Sequence, residues 1–389
     1  MPESIDRPHH VARLTALLRQ FPVVAVLGAR QVGKTTLARQ VVAARRGPTA
    51  VFDLENTEDL ARLAEPLLTL RRERGLVVID EVQRLPDLFK TLRVLVDEPG
   101  TRRRFLVVGS AAPELLRQGS ETLAGRIAYH ELEGLRLDEV GAERLSRLWL
   151  RGGFPRSFLA RTEAESGRWR EEFIRTFLER DIPQFGLRIP APALRRFWSM
   201  IAHYHAQTWN GAELARAFGV AHTTVRRYLD VLTETFMVRQ LPPWHANLAK
   251  RQVRSPKVYL RDAGLLHALL GVHTARELEG HPKVGASWEG FALGVVLDRL
   301  GARPGEAYFW GTHAGAELDL FVVRGGARLG FEFKRTSAPT VTASMRTAGA
   351  DLRLQRLDVI HGGRETFPLT DRIRAVPLER VWSDVSPLR

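Results

Sequence analysis

The sequence has no cysteine. That absence excludes disulfides, thiol nucleophiles, iron–sulfur clusters and Cys-ligated zinc, so any chemistry falls to carboxylates, histidine, lysine and hydroxyls. Nor is there an uninterrupted apolar run of bilayer-spanning length, and the start MPESIDRPHH lacks the basic-then-apolar order of a signal peptide. The expectation is a cytoplasmic protein with no membrane partner. Lysine is scarce as well, supplying 6 of the 58 basic residues, so the net charge of +14 is almost all arginine and can reflect genome composition. Its distribution says more. Residues 1–145 carry +2 and residues 286–389 carry +2, whereas residues 146–285 carry +10, the footprint of a local polyanion-binding surface. A chain of 389 residues with 44% apolar composition is long enough for several cored domains. Internal repeats and low-complexity tracts are missing from it.

The first 135 residues alternate short β-branched runs with amphipathic stretches: FPVVAVLG, a helix from Lys34, AVFDLE, GLVVIDE and RFLVVGS. This order predicts an α/β fold with a parallel sheet and crossover helices. Helix-period patterns dominate residues 136–206, as a helical lid or connector would. Residues 207–285 read as a winged helix-turn-helix followed by a basic connector, and residues 286–389 as a further α/β domain.

GARQVGKTT at 28–36 satisfies G-x-x-x-x-G-K-[ST] directly after an apolar strand and at the start of a helix. Such a loop cradles phosphates with Gly28, Ala29, Arg30, Gln31, Val32, Gly33, Lys34, Thr35 and Thr36, with Lys34 on the β and γ phosphates and the Thr35 hydroxyl on Mg²⁺. ATP and Mg²⁺ are the expected cofactors. LVVIDE at 76–81 ends a second strand in two carboxylates: Asp80 for the Mg²⁺ shell, Glu81 to polarise the attacking water. Its position downstream suggests that this strand neighbours the first. Ser110, closing RFLVVGS, is either a γ-phosphate or water contact or a plain helix-cap serine. Arg126, in LAGRIAYHEL, is either a solvated surface residue or a charge offered to a neighbouring subunit's site.

Taken together, GARQVGKTT, VVIDEVQRLP at 77–86, GSAAPELL at 109–116, LAGR at 123–126, GGFP at 152–155 and FLERDIPQFG at 177–186 resemble a bacterial and archaeal family of AAA-type (AAA+) ATPases. Its C-terminal domain, of unassigned function, is related to PD-(D/E)XK nucleases. The resemblance covers nearly the whole chain. It implies an AAA+ core and self-association into a ring, a hexamer among the options.

GAELARAFGVAHTTVRRYLDVL at 211–232 spaces its apolar residues for two helices, with Gly219 at the turn between them. The second helix would present Thr223, Thr224, Arg226 and Arg227 to DNA, the expected macromolecular partner; the alternative is a packing module. At the C-terminus, AELDLFVVRGGARLGFEFKR at 316–335 reads as a hairpin turning on Gly325 and Gly326. Counting outward from Arg324 opposite Ala327 pairs Asp319 with Glu332 and Glu317 with Lys334 on one face. Two carboxylates directly opposite repel unless a cation or a proton sits between them, which favours a divalent metal. The D-x12-E-x-K spacing, with Glu289 on the preceding helix, is similar to the PD-(D/E)XK pattern. That resemblance assigns Mg²⁺ ligation to Asp319 and Glu332, support of the metal or of water to Glu289, and water activation or phosphate stabilisation to Lys334. The functional expectation is an ATP-driven DNA-processing motor with a nuclease-like C-terminal domain, restriction-endonuclease-like in fold. The alternative is an ATP-switched interaction protein whose nuclease-like domain does not cleave.

Overall fold

The computed structural model describes residues 5–110, 122–184, 189–244, 255–303, 305–312 and 314–388, except for the side chains of Ser110 and Gln184. Two compact units emerge. The first is built on the residues up to Leu135, with short stretches at Pro183 and at Glu234–Phe236; the second comprises most of the remainder. Among the described residues no helix is long and apolar enough to cross a membrane.

In the first unit, α1 (Pro8–Gln20) precedes β1 (Val23–Gly28), α2 (Lys34–Ala43), β2 (Thr49–Asp53), β3 (Leu76–Asp80), α3 (Leu88–Asp97), β4 (Arg104–Ser110) and β5 (Ile127–Glu131). The five strands pair in parallel in the order β2-β3-β4-β1-β5. All residues of β1 and β3 are buried, as strands covered by helices on both faces must be. The expected adjacency of β1 and β3 is corrected here: β4 lies between them, pairing Val23 with Phe105 on one side and Leu76 with Arg104 on the other. Two strand spacings, about 10 Å, therefore separate the lines of β1 and β3. Their C-terminal ends still share one edge of the sheet. There Gly28 stands opposite Ser110, and Asp80 opposite Asp53.

The second unit opens with helices, among them α4 (Glu163–Thr176) and α5 (Ala191–His203). Phe173 of α4 packs against Phe154 in a tilted arrangement and stacks on Phe177, with ring centroids 4.7 and 6.2 Å apart. The GGFP stretch has a specific structural reason. Asp262 accepts the Gly153 N–H at 2.7 Å, and a Cβ on Gly152, which has φ +77°, would lie 2.2 Å from the Asp262 carboxylate.

Two helices follow, α6 (Gly211–Phe218) and α7 (His222–Glu234), joined through Gly219 at φ +74°. Three short strands, β6 (Gln207–Thr208), β7 (Val238–Leu241) and β8 (Lys257–Leu260), form an antiparallel sheet in the order β6-β8-β7. The segment read as a basic connector thus contains a buried strand, β8, and two short helices, Ala263–Leu269 and Ala275–Gly280. Its run KRQVRSPK at 250–257 lies mostly outside the described residues.

The C-terminal part sets α8 (Val284–Leu300) and α9 (Ala343–Asp351) with a six-stranded mixed sheet in the order β13-β14-β12-β11-β10-β9. Its strands are β9 (Ala307–Gly311), β10 (Glu317–Arg324), β11 (Ala327–Lys334), β12 (Arg356–His361), β13 (Phe367–Pro368) and β14 (Ile373–Pro377). The hairpin register is the expected one: Arg324 faces Ala327 and Leu320 faces Phe331. Gly325 and Gly326 have φ of +54° and +86°, the pair of positive values that a two-residue type I′ turn requires.

Candidate nucleotide and carboxylate sites

The loop between β1 and α2 is held from below. A Cβ on Gly28 would lie 2.2 Å from the Leu132 carbonyl oxygen, and Leu132 N–H donates to Leu27 O at 2.7 Å. Gly28 is therefore glycine because the segment after β5 presses against it, a reason beyond the approach to phosphate expected from the motif. Gln31 (φ 64°) and Gly33 (φ 100°) both take the left-handed region, and Gly33 caps α2 so that Lys34 opens the helix. Arg7, almost fully buried, donates to the carbonyls of Val32, Glu133 and Gly134 at 3.4, 3.3 and 2.7 Å, which ties the loop to the chain beyond β5.

The buried Lys34 ammonium donates to the carbonyls of Gly28 and Ala29 at 3.1 and 2.8 Å. Within the same edge, Asp80 is 5% exposed. Burial raises its pKa, while hydrogen bonds from the Thr35 hydroxyl and the Glu81 N–H pull it back. Glu81, in the left-handed region at φ 53°, is also raised by burial and opposed chiefly by the Lys34 charge. Its carboxylate accepts from Gln83 Nε2, a partner that the sequence reading missed. Thr35, Lys34, Asp80 and Glu81 thus come together as expected. The donor set fits a Mg²⁺–triphosphate: a hydroxyl and a carboxylate already in contact, an ammonium beside them and a helix N-terminus.

Arg126 lies in the turn before β5, and its carbonyl accepts from Val23 N–H at 3.2 Å. It is therefore at the opposite end of β1 from the loop, paired with Asp97 at 2.6 and 3.0 Å. The Ser110 side chain lies outside the described residues.

The second cluster forms in the C-terminal part. Asp319 and Glu332 are 7% and 6% exposed. Asp319 Oδ2 accepts Phe333 N–H at 3.0 Å, and Lys334 Nζ lies 2.8 Å from Glu332 Oε1. Two residues that the sequence reading passed over complete it. From β8, the Lys257 ammonium reaches Glu289 and Asp319 at 3.3 and 3.4 Å and also contacts Glu317, while Tyr259 donates to Glu289 Oε1 at 2.7 Å. Burial, with the Asp319 charge next, lifts Glu289 and Glu332 to about 7. Burial opposes the Lys257 charge, but Tyr259, Glu289, Asp319 and Glu317 hold its pKa well above the ordinary value. Glu317 pairs with Lys257, and Lys334 with Glu332.

Of the four residues expected to face DNA, Thr223, Arg226 and Arg227 are exposed and Thr224 is half-buried. Arg226 is bridged to Asp230 at 3.1 Å.

Comparison with known proteins now adds family. An uncharacterized protein of Mycobacterium tuberculosis is 52% identical over 379 residues, covering 97% of this chain and 85% of that one. An uncharacterized protein of Mycobacterium bovis matches to the same extent. The chain belongs to their family. The AAA domain profile matches residues 20–141, so the first unit is an AAA-type P-loop ATPase domain. Two domains of unknown function follow, DUF8612 at residues 142–276 and DUF4143 at residues 284–381. Among solved structures, a Walker-type ATPase of Pyrococcus abyssi aligns at TM-score 0.46 and 15% identity over 69% of this chain and 96% of that one. A Holliday junction branch migration motor of Thermotoga maritima aligns at TM-score 0.30 and 18% identity over 61% of this chain and 90% of that one.

Proposed function

We propose that this AAA-type ATPase hydrolyses ATP to work on DNA held by the helix-turn-helix of α6 and α7. The observation that carries the reading is the two-sidedness of α7. Val225, Tyr228, Leu229, Val231 and Leu232 are buried, whereas Thr223, Arg226 and Arg227 lie on the solvent side of the most basic third of the chain. Exposed hydroxyls and guanidinium groups on one helix face are donors for phosphates and base edges. The antiparallel pairing of β7 and β8, which follow α7, supports reading this part as a winged helix-turn-helix.

At the nucleotide, Lys34 would release its two loop carbonyls to meet the β and γ phosphates. Thr35 and Asp80 would hold Mg²⁺, which when bound shields phosphate charge. Glu81, kept basic by burial and aimed by Gln83, would take the proton of the attacking water. The test is to incubate the protein with forked, duplex and four-way DNA, with and without ATP and Mg²⁺, and to score binding, strand separation, cutting and phosphate release together. DNA should bind and accelerate turnover. Turnover indifferent to every DNA, with no binding, would overturn the reading. A second reading, an ATP-switched interaction protein with a C-terminal domain that does not cut, is favoured by the Lys257 contacts; in that case no DNA is cleaved in any arm.

A further inference from the structure

We propose that the carboxylate cluster of the C-terminal part takes its cation from the chain itself: the Lys257 ammonium stands between Glu289 and Asp319, where the nuclease resemblance would put a divalent metal, and the cluster is an ionic lock on β8. The inference is independent of whether DNA is the substrate.

Both oxygens of Asp319 and one oxygen of each glutamate are already committed. Asp319 gives Oδ1 to Lys257 and Oδ2 to Phe333 N–H. Glu289 Oε1 accepts from both Tyr259 and Lys257, Glu317 meets Lys257, and Glu332 Oε1 meets Lys334. Among the described residues, no group of three or more acidic or imidazole side chains is arranged to hold a metal, and Glu332 Oε2 alone of the hairpin pair's carboxylate oxygens has no hydrogen-bond partner. A hard divalent cation needs several oxygens converging on one point; here they converge on an ammonium.

The placement of Lys257 is itself the second observation. It is 3% exposed, and burying an ammonium without counter-charges is prohibitive, so the acids are its reason for being there. Lys257 and Tyr259 are alternate residues of one strand and so share a face, and both end on the same Glu289 oxygen. A strand with two polar side chains on one face, both aimed at one carboxylate, is fastened there. The paired carboxylates of the hairpin call for a cation or a proton between them, and the chain supplies two cations, Lys257 and Lys334.

The experiment uses the full-length chain carrying Asp80→Asn, without nucleotide, so that the P-loop contributes no metal site. Mn²⁺ is titrated by calorimetry and electron paramagnetic resonance, and melting is followed with Mn²⁺ or with EDTA. No stoichiometric Mn²⁺ binding and no melting shift are expected. Adding Lys257→Met should create one Mn²⁺ site per chain, which a further Asp319→Asn removes. One equivalent of Mn²⁺ bound with Lys257 intact and lost on Asp319→Asn overturns the proposal, as does a folded Lys257→Met variant that binds none. Should Lys257→Met fail to fold, the arm with Lys257 intact decides alone: a Mn²⁺-dependent melting shift refutes the lock, and its absence, with EDTA also silent, supports it.

Discussion

Lys34 and Glu81 sit on one sheet edge and are coupled electrostatically, yet the proposed mechanism gives one the phosphate and the other the water. Lys34→Ala should abolish nucleotide binding measured with a fluorescent ATP analogue. Glu81→Gln should leave binding within a few fold and lower phosphate release by about 100-fold or more, the usual worth of a positioned base. Equal turnover in both variants and the parent would remove the ATPase mechanism. A second residue-scale prediction concerns pH. His205 accepts Leu260 N–H at Nδ1, so its proton is on Nε2, and burial depresses its pKa to about 3; His267, likewise buried, falls to about 4. A depressed base is neutral in the fold and charged in the unfolded chain. Its stability contribution is therefore intact above about pH 6.5 and is lost as pH falls, by about 1.4 kcal/mol per unit for each histidine. His205→Asn should lower stability at pH 7 but make the decline of melting temperature from pH 7 to 5 shallower. A decline as steep as the parent's would mean that His205 is charged in the fold. The P-loop was legible in the sequence because its chemistry needs contiguous residues. Lys257 was not, since its partners are 32, 60 and 62 positions away and a lone lysine after a proline carries no local signal.

At the scale of elements, legibility followed the range of the interaction that fixes each one. The hairpin of β10 and β11 is local: two glycines force the turn, the turn fixes the register, and the structure has that register. The order β2-β3-β4-β1-β5 is not local, because inserting β4 between the two site-bearing strands leaves every local pattern unchanged. β8 escaped notice for a related reason. Four buried residues amid basic ones gain their strand pairing from β7 and β6 rather than from their own periodicity. For α7 the amphipathic pattern was sufficient to choose the buried face, and that choice gives a prediction. Replacing Arg226 and Arg227 together by Ala should weaken DNA binding and flatten the plot of log affinity against log salt by about one to two units, by counterion release. Because Arg226 is held by Asp230, Arg227→Ala alone should account for at least half of the change. An unaltered salt slope would return α7 to packing and place the basic surface elsewhere.

For the whole molecule the question is whether one chain makes a complete ATPase site, and the position of Arg126 makes the question testable. Its carbonyl meets the first residue of β1, whereas the phosphate loop follows the last, so the length of a six-residue strand, about 20 Å, separates the two. An arginine side chain cannot cover that distance within its own subunit. It is half-buried and held by Asp97. If neighbouring subunits place Arg126 against each other's nucleotide, Arg126→Ala should lose hydrolysis with little loss of nucleotide affinity. Asp97→Ala, which only frees the arginine, should retain most of the turnover. Mixing Arg126→Ala with Lys34→Ala should then restore part of the activity that neither has alone, because in mixed assemblies some intact phosphate loops face an intact arginine. Phosphate release across a series of mixing ratios checks this, with light scattering in parallel to count subunits. A flat response at every ratio, in samples that scattering shows to be mixed assemblies, would mean that Arg126 does no more than pair with Asp97 and that each subunit completes its own site.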